Sequence, residues 1–293
     1  MTHIPLCEYL NPVIQDVGMT ADTATSRVDP ITGLEFFELS HPWGHGAPTY
    51  PGFEDVQIFR SVNHARDGVM SQRIRTVMHT GTHVNAPIHM IPGAAGIGDL
   101  PLRVFFGSAV IVSAPKEQWE LVTADDLARA DIRPGDIVLI ATGWHRFYSD
   151  SQRYFAHAPG LDRSAAEILI ERGAKLVGVD TPFIDHPLAT SLAEHRGGPY
   201  TKYLPQRYRE ATGRDPKAAF PEWNPAHRAL LGAGIPTIEN VGGDVAALLD
   251  RRVTVHAMPW RWPGGDACPV RLIGLADRSG TLRLETGHQE AGQ

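Results

Sequence analysis

The stretch His79-Thr80-Gly81-Thr82-His83-Val84-Asn85-Ala86-Pro87-Ile88-His89 decides how this chain is read. Three imidazoles fall within it, at spacings of four and six residues. A helix would put His79 and His83 on one face, as in the metalloprotease helix motif. Gly81 and Pro87 oppose a helix, and no Glu follows the first His. In an extended chain side chains alternate, so His83, Asn85, Pro87 and His89 share a face. A turn at Gly81 then folds His79 back towards the same point. Three neutral imidazoles and one amide oxygen converging in this way suit Zn²⁺ or Mn²⁺. The competing reading is a strand whose histidines merely hydrogen-bond loops. Three imidazoles on one face, with Gly and Pro shaping the turn, favour the metal.

Composition agrees with that donor set. The 293 residues include 14 His and only 2 Cys, Cys7 and Cys268. Two cysteines make neither a disulfide framework nor a thiolate zinc site, so nitrogen and oxygen must hold any metal. Lys and Arg number 27 against 33 Asp and Glu, a net charge of −6, which points away from nucleic acid and anionic membranes as partners. Hydrophobic residues are 42 %, enough for a sizeable core. The start, MTHIPLCEYLNPVIQD, lacks a basic segment followed by an apolar one. Apolar runs such as GSAVIVSA (107–114) are strand-length and too short for a membrane span. A soluble cytoplasmic protein is the expectation.

Working outward from the motif, β-branched and apolar stretches predict strands at 34–39, 55–61, 72–78, 108–113, 136–142, 175–180, 235–239, 252–257 and 269–276. Thr123 before ADDLARAD, Asp162 before RSAAEILIERG and Asn224-Pro225 before AHRALLGAG mark helix starts; the last two patterns close on glycine. No repeat or linker divides the chain, so residues 1–293 read as a single α/β domain. Segment 196–222 reads as an irregular insertion, a surface flap or a subunit contact.

The opening segment resembles the cyclase-family signature His-x-Gly-Thr-His-x-Asp-x-Pro-x-His, shared by bacterial kynurenine formamidases and isatin hydrolases. His79, Gly81, Thr82, His83, Pro87 and His89 match it, and Asn85 stands where the family has Asp. Companion segments resemble the family in order: LSHPWGHGAPTYPG (39–52), TGW (142–144), VGVDTPFIDHP (177–187), GIPTIENVGG (234–243) and GGDACPVR (264–271). The resemblance implies a mixed β-sheet or barrel-like core with flanking helices, of the swivelling β/β/α type. It implies two further metal ligands twelve positions apart, supplied here by His227 and Glu239. It also implies a homodimer or homotetramer acting on a small molecule.

Asn85 is the departure that matters. A neutral amide is a weaker ligand than a shared carboxylate and disfavours a second cation. The expected site is therefore mononuclear, with one Zn or Mn per subunit on His79, His83 and Glu239, while Asn85 and His227 ligate weakly or bond the metal's water. The expected reaction is metal-dependent hydrolysis of a C–N bond in a small cyclic or aryl amide (a lactam, an isatin-like ring or a formamide). Metal hydroxide attacks the carbonyl, and His89 shuttles the proton. A lactone or ester hydrolase on the same site is the alternative, and a non-catalytic metal- or ligand-binding relative is a third reading. Trp43, Tyr50, Trp144 and Phe183 are candidate substrate-pocket residues, each also readable as core. Asp180 and Asp185-His186 either orient a ligand histidine from behind or build turns.

Overall fold

The strand Phe106–Ser113 shows how the core is organised. Ala109 and Ile111 point into one buried cluster, and Val110 and Val112 into another on the opposite side. The neighbouring strands repeat this alternation: Ile137 and Leu139 face the first cluster, Val138 and Ile140 the second. A sheet covered on both faces needs such near-continuous apolar strands.

The computed structural model describes residues 27–194 and 202–277. By contacts the chain forms two compact units, 1–36 with 277–293, and Phe37–Ala276. The described part of the first unit is a turn in which Gly33, at φ 71, donates to Asp29 O. The described strands are β1 (Glu35–Glu38), β2 (Gln57–Val62), β3 (Ser71–Arg75), β4 (His83–Asn85), β5 (Phe106–Ser113), β6 (Leu121–Val122), β7 (Ile137–Ala141), β8 (Gly160–Leu161), β9 (Leu176–Val179), β10 (Thr237–Glu239), β11 (Arg252–His256), β12 (Ala267–Pro269) and β13 (Ile273–Ala276). Nine of them make one mixed sheet in the order β1-β13-β11-β5-β7-β9-β10-β4-β12. Strands β5, β7, β9 and β10 run parallel, and β4, β11, β12 and β13 pair antiparallel around them. The ribbon β2–β3 stands apart as a two-stranded sheet with mostly exposed side chains.

Helices α1 (Arg163–Glu171) and α3 (Pro225–Gly232) cover the second cluster through Ala165, Ala166, Leu169, Ala226 and Leu230. The Asp162 carboxylate caps α1 as expected, accepting from Ala165 N. The region predicted as one strand at 269–276 is two strands. Val270 and Leu272 spend their N–H groups on Thr82 O and Ser40 Oγ instead of on a ladder. Segment 196–222, expected to be irregular, holds α2 (Leu204–Thr212) and a helical turn at Pro216–Ala219; residues 196–201 lie outside the described residues. No helix among the described residues is long and apolar enough to cross a membrane.

Candidate metal centre and active site

Register builds the site. Strands β4 and β10 pair so that Glu239 lies opposite His83, Ile238 opposite Val84 and Thr237 opposite Asn85. Val84 and Ile238 enter the core, so alternation brings His83, Asn85, Thr237 and Glu239 out together on the other face. All four are buried. Gly81 makes the turn before β4 in the left-handed region, at φ 64, and a Cβ there would stand 2.9 Å from Trp43 Cδ1. That turn folds His79 back, its ring centroid 5.2 Å from that of His83.

His89 arrives differently from expectation. The strand stops at Asn85, and Pro87–His89 form a 3₁₀ turn because proline carries no N–H for the ladder and its φ suits a helical start. This places the His89 ring 4.3 Å from His79 and 5.5 Å from His227. His227 rides on the first turn of α3. The expected Asn224 cap is absent, since Asn224 sits at φ 46 and its side chain makes no cap bond. The Asp185 carboxylate does that work instead, accepting from Ala226 N at 2.8 Å and His227 N at 3.0 Å. Asp185 thus orients a predicted ligand histidine through its backbone.

Tautomers follow from the partners. His83 Nδ1 lies 2.8 Å from Gly81 O, an obligate acceptor, so Nδ1 carries a proton and Nε2 is the nitrogen left to the site. His83 Nε2 stands 3.2 Å from Glu239 Oε2, outside hydrogen-bond geometry, and has no hydrogen-bond partner. Asn85 Oδ1 is likewise buried without one. A ring nitrogen and an amide oxygen left unpartnered beside a buried carboxylate are satisfied by a cation. The donors His79, His83 and Glu239, with Asn85 Oδ1 and His227 beside them, therefore fit a divalent metal ion.

Asp266, which local sequence reasoning passed over, joins this group. Its Oδ2 lies 2.9 Å from His79 Nε2 and 3.9 Å from His89 Nδ1, and His79, His89 and Asp266 together could hold a metal. The hydrogen bond from His79 holds the Asp266 carboxyl down at about 2. Burial opposes the charge on Glu239, yet the contact with His83 and the fields of His227 and His79 prevail and hold it at about 2. Burial pushes His89 down to about 3, aided by His79 and His227, so its imidazole is neutral in the folded protein.

The site opens into a cavity of about 400 Å³ whose lining includes His79, His83, His89, His227 and Glu239. Tyr50, Phe53, Phe155, Phe183 and Trp223 supply an aromatic wall. Tyr50 meets Phe53 at 5.2 Å and Phe183 edge-on at 5.4 Å between centroids. Tyr50 and Phe183 are where the pocket was expected, and Phe53, Phe155 and Trp223 carried no local signal. Trp43 and Trp144 are not among the lining residues. Trp43 packs on Gly81, and Trp144 is core, its Nε1 donating to Tyr154 O at 3.0 Å. Asn240 was also missed. It holds φ 61, donates from Nδ2 to Gly81 O at 3.0 Å, and accepts from Tyr154 OH at 2.6 Å.

The family model described as "Putative cyclase" matches residues 37–186, which include the motif, Asp180 and Asp185. The chain belongs to the cyclase family. Among curated cyclase-family relatives, the kynurenine formamidase of Bordetella petrii is 31% identical over 163 residues, covering 54% of this chain and 75% of the relative. That of Salinibacter ruber is 26% identical over 242 residues, covering 82% of this chain and 97% of the relative. Among solved structures, an isatin hydrolase bound to the product analogue thioisatinate aligns with a TM-score of 0.67 at 17% identity, covering 83% of this chain and 92% of that one. Isatin hydrolase A from Ralstonia solanacearum gives 0.66 at 23% identity with the same coverage. The mixed sheet with flanking helices is therefore the fold of the cyclase family.

Proposed function

We propose that the protein is a metal-dependent hydrolase that opens the C–N bond of a small cyclic or aryl amide. The observation carrying this reading is the buried, unpartnered His83 Nε2 standing 3.2 Å from the Glu239 carboxylate in an aromatic-lined cavity. The kynurenine formamidases and isatin hydrolases among its relatives and fold neighbours support the choice of bond. His79, His83 and Glu239 would hold one Zn or Mn ion, with Asn85 and His227 at its edge. When bound, such an ion acidifies a water and polarises a carbonyl. Tyr50, Phe53 and Phe183 receive the aryl ring and keep bulk water from the scissile bond. His89 Nδ1 faces Asp266, which leaves Nε2 to take the proton of the attacking water and deliver it to the leaving nitrogen. The neutral Asn85 amide limits the site to one ion.

The reading is tested by elemental analysis of the purified chain, followed by hydrolysis of isatin, N-formylkynurenine, a γ-lactam and an aryl lactone with and without chelator. About one metal equivalent and a chelator-sensitive turnover of an amide are expected. Two tight equivalents would defeat the mononuclear site, and a metal-loaded chain inert on the whole panel would defeat the enzyme. A homodimer or homotetramer belongs to the same proposal. Exposed Phe59, Val69, Met70 and Ile74 on and beside the β2–β3 ribbon support it, and light scattering checks it.

A further inference from the structure

We propose that Asp266 is the positioning carboxylate of this site: it fixes the tautomer of His79 and returns the negative charge that Asn85 lacks. The inference rests on the metal site proposed above and concerns a residue outside the ligand set.

Backbone pairing delivers the side chain. Strand β12 lies against β4 with Ala267 opposite Asn85, and Asp266 O accepts from Ala86 N at 2.8 Å. The preceding turn leaves no freedom: Gly264 holds φ 69, and a Cβ on Gly265 would overlap the Trp262 indole nitrogen. The carboxylate therefore stands at a set place beside the motif strand.

His79 and His83 are held by one logic with different acceptors. Each commits one ring nitrogen to a group that can only accept, so in the neutral ring the other nitrogen is the one free to ligate. For His83 the acceptor is the Gly81 carbonyl at 2.8 Å; for His79 it is the charged Asp266 Oδ2, 2.9 Å from Nε2. A charge-assisted bond is stronger than a neutral one, and a carboxylate behind an imidazole makes it a better metal donor. Asp266 is not among the residues lining the cavity while His79 and His89 are, which favours support from behind over direct ligation.

Charge gives the reason this chain needs it. Asn85 is buried and neutral, its Nδ2 near Thr237 Oγ1 at 3.4 Å and its Oδ1 unpartnered. Glu239 is then the carboxylate left on the β4–β10 face to balance an incoming divalent ion. Asp266, acting through His79, supplies a second.

The test is Zn²⁺ affinity of the full chain, by competition with a chromophoric chelator, for wild type, D266A, D266N, D266E and D266N/N85D. Losing such a support lowers metal affinity about 10–100-fold, expected for D266A. D266N keeps an acceptor without the charge and loses less, D266E recovers most of the affinity, and N85D restores the loss in D266N. Nitrogen chemical shifts of the metal-free protein should show His79 protonated at Nε2 in wild type and mixed in D266A. The side chain is 47% exposed, so no core is disturbed, and equal melting midpoints in chelator check the fold. Should D266A unfold, D266N against D266E decides by the same comparison. D266A binding Zn²⁺ as tightly as wild type, with His79 unchanged, would overturn the role of Asp266 alone. A wild type that binds no Zn²⁺ overturns the metal site and this proposal with it.

Discussion

Glu239 and Asp180 are both buried carboxylates at the carboxyl ends of neighbouring parallel strands, yet their surroundings differ in kind. Asp180 is saturated: it accepts from Thr142 N at 2.9 Å, Thr142 Oγ1 at 2.6 Å, Gly143 N at 2.8 Å and His145 Nδ1 at 3.0 Å. Glu239 accepts from Ile184 N at 3.0 Å through Oε1, but its Oε2 stands 3.2 Å from His83 Nε2 with no hydrogen bond between them. A satisfied buried carboxylate locks two strand ends together. One set beside the unpartnered His83 Nε2 and Asn85 Oδ1 is suited to holding a cation. Convergence is the distinguishing feature, since a single orphaned atom carries no such meaning.

The comparison breaks most easily at Glu239. In Glu239→Gln, metal should no longer survive gel filtration and hydrolysis should fall to background. A variant that keeps its metal would remove Glu239 from the site. Next in size is His89→Ala, expected to lower kcat by about 10²–10⁴ with metal content intact. Activity that returns with excess metal would instead make His89 a ligand. Asp180→Asn should do the opposite of both. It leaves metal content unchanged but costs about 3 kcal/mol in urea denaturation, since its donors lose a charged acceptor. Loss of metal in that variant would erase the contrast between the two carboxylates.

Much of this was legible in the sequence, for a local reason. Strands such as 108–113 and 136–142 announce themselves through apolar runs, and Gly81 and Pro87 mark the two bends of the motif. His227 and Glu239 came from the family resemblance, and strand register then brings Glu239 opposite His83. What stayed hidden depends on contacts between distant segments. Asp266 lies 187 residues from His79, and nothing in GGDACPVR says which strand it will pair with. Asn224 looked like a helix cap, but the N–H groups of Ala226 and His227 are taken by Asp185, 41 residues before Ala226. Trp43 and Trp144 carried the right chemistry for a pocket, and packing around Gly81 and Tyr154 decided against it.

His186 sharpens the comparison from the side of structure, with the smallest expected effect. It is fully buried, its Nδ1 accepts from Leu188 N at 3.1 Å, and its ring stacks on Phe220 at 4.0 Å. Burial pushes it down to about 3, so the folded protein keeps it neutral across the mild acid range. Unfolded histidine takes up a proton near pH ~6.5. The stability owed to the neutral ring is therefore complete above that pH, declines as pH falls towards 3, and changes no further below. Each unit within this window costs up to ~1.4 kcal/mol. His186→Asn keeps an acceptor for Leu188 N, loses the stack and does not titrate. Measured with chelator present, it should be less stable than wild type at pH 8, with the gap narrowing by about 2 kcal/mol at pH 5. The paired difference cancels the other histidines. A gap that stays constant would mean that the fold accommodates a charged His186, and burial would then not separate a structural imidazole from those gathered around Glu239.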